Sequence, residues 1–424
     1  MALDMNAPEN PASWRSKPVS VIGTASATNQ HPNQRHGSDY RPDIDGLRAI
    51  AVAVIVIFHT GISPLRGGFI GVDIFFVISG FLITRLICQD IERGRFTISG
   101  FYERRLRRIF PALVVGVIGT LAAAPFLLFP SELRTTAITA GAALLSAANL
   151  YLLNSAGYFA ADAETQPLVH LWSLGVEEQF YVFFPLALAL MMRRGRKVAL
   201  WATMVLAVVS LALCVFYTYQ DRDFAYYFPL TRAWELLFGA LAFFLPAPRL
   251  PQAVREIAAF GALALLIACA IKFYPGMYFP GYLAAIPCLA TAVLISLGRN
   301  ATSLTSRLLA LRPVVFIGLI SYSLYIWHWP IIVYYHLLRG AEITAAEGAG
   351  LVAASVLSAT LSWYFVERPF RVKSLLASRS GVFAGAGAAG MMIGRLEIRD
   401  RVFASVLEGR PIVGAGRLFF LVES

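Results

Sequence analysis

Charge is what this sequence has least of. Asp, Glu, Lys and Arg make up 14% of 424 residues, 58% are hydrophobic, and the mean hydropathy is +0.65. Soluble domains carry about 25% charged residues, so a soluble fold is excluded and the bilayer is the solvent. Cysteine is scarce too: Cys88, Cys214, Cys269 and Cys288 lie in or beside apolar runs, none at CxxC spacing. That excludes a disulfide framework and a cysteine metal site, leaving four small buried hydrophobes; no metal is expected. A GxSxG elbow, an HxxxxD box and a Walker A loop are all missing. The amino-terminal stretch lacks the apolar core of a signal peptide. No internal repeat suggests an inverted-repeat transporter.

What is present is a series of apolar runs separated by short basic clusters. The net charge of +11 is distributed in that way, which is the pattern of positive-inside topology and not of a nucleic-acid-binding surface. The runs predict an all-α polytopic membrane bundle of about ten spans: residues 46–62, 69–90, 109–129, 171–192, 198–219, 228–245, 257–273, 279–297, 314–338 and 348–365. Arg93, Arg95, Arg104, Arg105, Arg107 and Arg108, with Arg85 just before them, place the loop after the second span in the cytoplasm. The run from Glu132 to Glu164 is diluted with Thr, Ser and Asn. A full crossing there would put the acidic Asp162 and Glu164 inside and the basic Arg193–Lys197 outside, so a surface-lying or partly inserted segment is expected. Residues 1–40, rich in Pro, Ser, Asn and Gln, read as a disordered cytoplasmic arm. The membrane domain covers 41–373. Residues 374–424 hold a small-residue run, Gly381–Gly394, that would make a weak eleventh span.

Ionisable residues inside spans are costly and mark function. Arg48 and His59 are eleven residues apart, close to three helical turns, so they share one stripe about 16 Å apart along the axis. Asp73 and Ser79 lie in "GGFIGVDIFFVISGFLIT", Glu177 and Glu178 in "HLWSLGVEEQFY", and His328 between two tryptophans in "SYSLYIWHWP". Two adjacent carboxylates in a span need a polar cavity, a cationic partner or a proton. Residue counting puts His59, Asp73, Glu177, Glu178 and His328 in the outer half of the membrane, and Arg104, Arg105, Arg107 and Arg108 at the inner surface. An anion-binding inner mouth with an acid/base cluster deeper in is expected.

Taken in order, "DIDGLRAIAVAVIVIFH", "GGFIGVDIFFVISGFLIT", "FYERRLRRIFPAL", "LWSLGVEEQFY", "SYSLYIWHWP" and "VERPFR" resemble the acyltransferase 3 family of bacterial membrane O-acyltransferases, over about Tyr40–Arg371. The family's arginine–ten residues–histidine signature falls on Arg48 and His59, and its basic motif on Arg104–Arg108. Its Glu-Glu-Gln-Phe stretch falls on Glu177–Phe180. The resemblance implies acyl transfer, acetyl by family habit, from acyl-CoA to a hydroxyl of a surface glycan or lipid-linked saccharide such as O-antigen, in the bacterial inner membrane. Acyl-CoA is then a substrate, and no bound cofactor is expected. No GDS-type block or closing DxxH of the SGNH domain found in many such proteins occurs here; a separate periplasmic SGNH-type partner would supply it.

In that reading the arginines bind the phosphates of CoA. Arg48 steers the diphosphate or holds the arm, and His59 acts as general base or as nucleophile. Glu177 or Glu178 orients the imidazole, with Asp73, Ser79 and His328 as further polar candidates. The rival reading is a transporter or flippase for an anionic lipid or glycan, which also needs membrane carboxylates and basic mouths.

Overall fold

The computed structural model describes residues 40–62, 64–155, 165–300 and 303–372. It is helical throughout, with no strand among the described residues. The helices are α1 (Pro42–His59), α2 (Gly71–Glu92), α3 (Ile98–Leu127), α4 (Pro130–Leu144), α5 (Ala148–Asn154), α6 (Trp172–Arg193), α7 (Arg196–Gln220), α8 (Arg222–Tyr227), α9 (Pro229–Phe244), α10 (Gln252–Lys272), α11 (Ala285–Leu297), α12 (Leu304–Leu309), α13 (Arg312–Arg339), α14 (Ala345–Ser362) and α15 (Arg368–Arg371). The expected arm, Asp162, Glu164, Lys373 and the Gly381–Gly394 run lie outside the described residues.

Seven helices are long and apolar enough to cross a membrane: α2, α3, α6, α7, α10, α13 and α14. The polytopic helix bundle is therefore as expected, but three of the ten expected spans fall short of that standard. α9 has 16 residues and α11 has 13, while the 18 residues of α1 include Asp43, Asp45 and Arg48. The reason is position. α9 packs against α2, α7 and α11, and α1 against α13 and α2. A helix ringed by other helices meets protein where an outer helix meets lipid, so it can be short or carry charge. Two-thirds of the apolar window of α2 is buried (67%), against 22% in α10, which makes α2 a central helix and α10 a peripheral one.

α2 and α9 touch backbone to backbone. A Cβ on Gly80 would run into the backbone of Leu236, and one on Gly239 into the carbonyl of Val77, the small-residue approach that membrane helices use. The run from Glu132 onward divides into α4 and α5, broken where Ser146 takes φ +57°. Neither helix is long enough to cross, in keeping with a segment that does not span. Gln179 of α6 ties this segment down, donating to the Ser146 carbonyl at 2.8 Å and to Asn149 Oδ1 at 2.9 Å. The four cysteines are buried and unpaired. After α14 the chain winds into a π turn, Trp363–Glu367. This buries Glu367, which accepts from Ser323 Oγ at 3.2 Å and pairs with Arg371 at 3.3 Å.

Candidate active site

The stripe on α1 forms as its spacing predicts. Val52 and Ile55, between Arg48 and His59, are fully buried, and the two polar residues mark opposite ends of the packed face. Arg48 donates to Asp45 Oδ1 at 3.3 Å, one turn earlier, and points into a narrow cavity of about 80 Å³.

Five helices build that cavity: α1 with Arg48, α2 with Phe75 and Ser79, α3 with Arg105 and Arg108, α6 with Ser173, Glu177 and Tyr181, and α13 with Ser321, Tyr322 and Tyr325. Arg105 and Arg108 are three residues apart and so share a helix face. The Arg105 guanidinium lies 4.9 Å from the centre of the Tyr181 ring, and the Tyr181 hydroxyl donates to Glu177. Neither Arg105 nor Arg108 forms an ion pair with a described residue, so both present cationic groups to the cavity.

The other two arginines of the expected cluster do not join them. Arg104 points outward and donates to Asp90 Oδ2 at 2.7 Å. Arg107 is buried and pairs with Glu103 at 3.1 Å. Steps of 100° per residue spread four near-consecutive side chains around a helix, and only two can face one cavity. The same geometry separates the glutamates. Glu177 lines the cavity; Glu178 does not, and its Oε1 is buried without a hydrogen-bond partner among the described residues.

Asp73 also lies elsewhere, in a cluster that the sequence does not announce. Its Oδ1 accepts from Arg232 at 3.0 Å, and Arg232 Nε is 3.2 Å from Glu235 Oε1. All three side chains are at most 1% exposed, and the guanidinium is flanked by the rings of Phe76, Trp172 and Tyr226. Asp73, Glu235 and Cys288 each place a ligand-type atom within 4.8 Å of the others, but Arg232 already supplies positive charge there. Opposite charges three residues apart in the apolar "TRAWELLFG" are the one signal that points to it.

His59, at the far end of α1, meets His328. Its Nδ1 lies 3.1 Å from His328 Nε2, and His328 Nδ1 lies 2.8 Å from the Tyr325 carbonyl and 3.1 Å from that of Leu324. The edge of Trp329 packs on His59 at 4.5 Å between ring centres. His170 stands 5.6 Å from His328, ring to ring. The expected support of His59 by Glu177 or Glu178 is therefore corrected: the group on its ring is His328. Nor do His59, Asp73, Glu177, Glu178 and His328 form one cluster, since counting along a span fixes depth and leaves the direction around the helix open.

Tyr325 joins the two ends. It lines the cavity, while its ring stands 5.5 Å from that of His328 and 5.4 Å from that of His170. Its hydroxyl donates to the His170 carbonyl at 2.8 Å and lies 2.6 Å from Ser173 Oγ.

A membrane-embedded bundle that leads from unpaired arginines to an imidazole pair has the build of a polytopic membrane transferase. The chain belongs to the acyltransferase 3 family: the family's acyltransferase domain matches residues 41–367. It is similar to BcsY of Komagataeibacter xylinus, whose name describes a membrane-bound transacylase, at 35% identity over 77% of this chain and 82% of that protein. It is also similar to the O-acetyltransferase OatA of Staphylococcus aureus, at 33% identity over 81% of this chain and 60% of that one. A third relative is the peptidoglycan O-acetyltransferase OatA of Listeria monocytogenes, at 33% over 80% and 57%. The match thus spans somewhat under two-thirds of either OatA. No solved structure matches the chain. The protein is a membrane acyltransferase, and the transporter reading gives way to that.

Proposed function

We propose that this enzyme moves an acetyl group from acetyl-CoA to a hydroxyl of a cell-surface glycan or lipid-linked saccharide, in the bacterial inner membrane. The observation that carries this reading is the convergence of Arg48, Arg105 and Arg108 on one cavity whose wall, Tyr325, touches the histidine pair. Guanidinium groups bind phosphate oxygens through charge-assisted forks. The cavity is too narrow for a nucleotide, so the diphosphate stays at the arginines and only the thin acyl-bearing arm goes further. Tyr325 stands between the cavity and His59 and must move for the thioester to reach the imidazole. His59 then takes the acceptor hydroxyl proton as the oxygen attacks the thioester carbonyl. The C–O bond forms, the C–S bond breaks, and the proton passes to the departing thiolate. General-base assistance of this kind is worth about 10²–10⁴-fold. The relatives named for peptidoglycan and for transacylation support a glycan acceptor.

The test is release of free CoA by the purified protein given acetyl-CoA, with and without a saccharide acceptor, together with mass analysis of the saccharide. Acceptor-dependent release with a gain of one acetyl group is the expected result. A folded protein that neither binds acetyl-CoA nor releases CoA overturns the donor assignment.

A further inference from the structure

The acyl-transfer reading leaves open which nitrogen of His59 reacts. We infer that His328 is a positioning residue that holds His59 in the tautomer whose Nε2 carries the reactive lone pair, an inference that rests on that reading.

Donors and acceptors alone decide the tautomer. The Tyr325 and Leu324 carbonyls, 2.8 and 3.1 Å from His328 Nδ1, can only accept, so Nδ1 carries a hydrogen. A neutral imidazole has one N–H, so His328 Nε2 has a lone pair. The atom 3.1 Å from it is His59 Nδ1, which must therefore be the donor. That leaves Nε2 as the basic nitrogen of His59, with Nδ1 occupied.

The surroundings hold this arrangement. His328 is wholly buried and is fixed at its far nitrogen by its own helix backbone. His59 is wedged by Trp329 and Phe58. The third titratable group nearby, His170, hydrogen-bonds to neither ring. When His59 Nε2 takes the acceptor proton, the O–H bond breaks and an N–H bond forms. The new positive charge sits on a ring whose Nδ1–H still points at the His328 lone pair. The proton then leaves from the same Nε2 to the thiolate, and no proton need leave the pair in between.

Two variants of similar size and polarity separate this role from packing. His328→Gln can place its amide oxygen near the position of Nε2 and accept from His59. His328→Asn can still donate to the Tyr325 carbonyl but stops short of His59. Steady-state acetyl transfer is measured for both, with acetyl-CoA affinity and detergent-solubilised abundance as controls. The Asn variant is expected to lose about 100-fold in kcat, the lower range of general acid–base catalysis, with donor KM unchanged. The Gln variant is expected to stay within about tenfold of the parent. Equal kcat in the two variants, or a change confined to KM, overturns the inference. Failure of the parent enzyme to transfer acetyl from acetyl-CoA would instead remove the functional reading beneath it.

Discussion

Arg232 and Arg108 are both arginines inside a bundle of membrane helices, yet they live in opposite circumstances. Arg232, at the α2–α9 seam, meets Asp73 and Glu235 and is sealed under aromatic rings. Arg108 meets no carboxylate within ion-pair distance among the described residues and opens on a cavity that a substrate can share. A charge within a span signals function by default, and these two show the further condition: its partners must not all be supplied by the chain. The α2–α9 cluster neutralises itself and holds two helices together. The α1–α3 cavity is left in want of an anion.

Substitutions on either side can undo this contrast. His59→Asn should have the largest effect. Asparagine keeps a polar contact but cannot act as a base at neutral pH, so acetyl transfer should fall by about 10²–10⁴-fold while acetyl-CoA still binds; near-normal transfer would make the imidazole a structural group. Arg232→Leu comes next. Removing one partner of a buried ion pair costs about 3–5 kcal/mol, read as a lower thermal midpoint in detergent, with donor affinity intact in the molecules that remain folded. Lost donor binding in a stable Arg232→Leu protein would erase the contrast. Arg105→Ala or Arg108→Ala should weaken acetyl-CoA binding by about ten- to a hundredfold, the worth of one hydrogen bond to a charged group, at unchanged abundance. Arg104→Ala should do least. Its partner is Asp90 and its side chain is 48% exposed, so the loss should stay below about 1 kcal/mol; a large drop in donor affinity would show that the outward-facing arginine belongs to the site.

Much of this is legible in the chain itself. Apolar runs and caps place the helices, and the spacing of Arg48 and His59 puts them on one stripe. What spacing cannot supply is the neighbour across the bundle. In sequence His328 looks like a member of an interfacial aromatic belt, because its tryptophan neighbours are visible there and its contact with His59, 269 residues away, is not. Glu177 and Glu178 read as one unit because they are adjacent, although adjacency on a helix guarantees different faces. Arg232 escapes notice because it sits in a short helix whose burial depends on α2 and α7, and burial is what turns an ordinary arginine into half of an ion pair.

The π turn at Trp363–Glu367 has a consequence for chain length. Such a turn holds one residue more than the α turn it replaces, and each residue in a helix is about 100° of rotation. Deleting one residue from 363–366 would let the helix relax to α and swing the downstream segment by about that angle, taking Glu367 off Ser323. A side-chain replacement in the same stretch leaves the phase untouched. The stretch therefore tolerates changes of spelling and not of frame. A relative that shows a gap there when aligned with this protein would have to build the Glu367–Arg371 corner in another way.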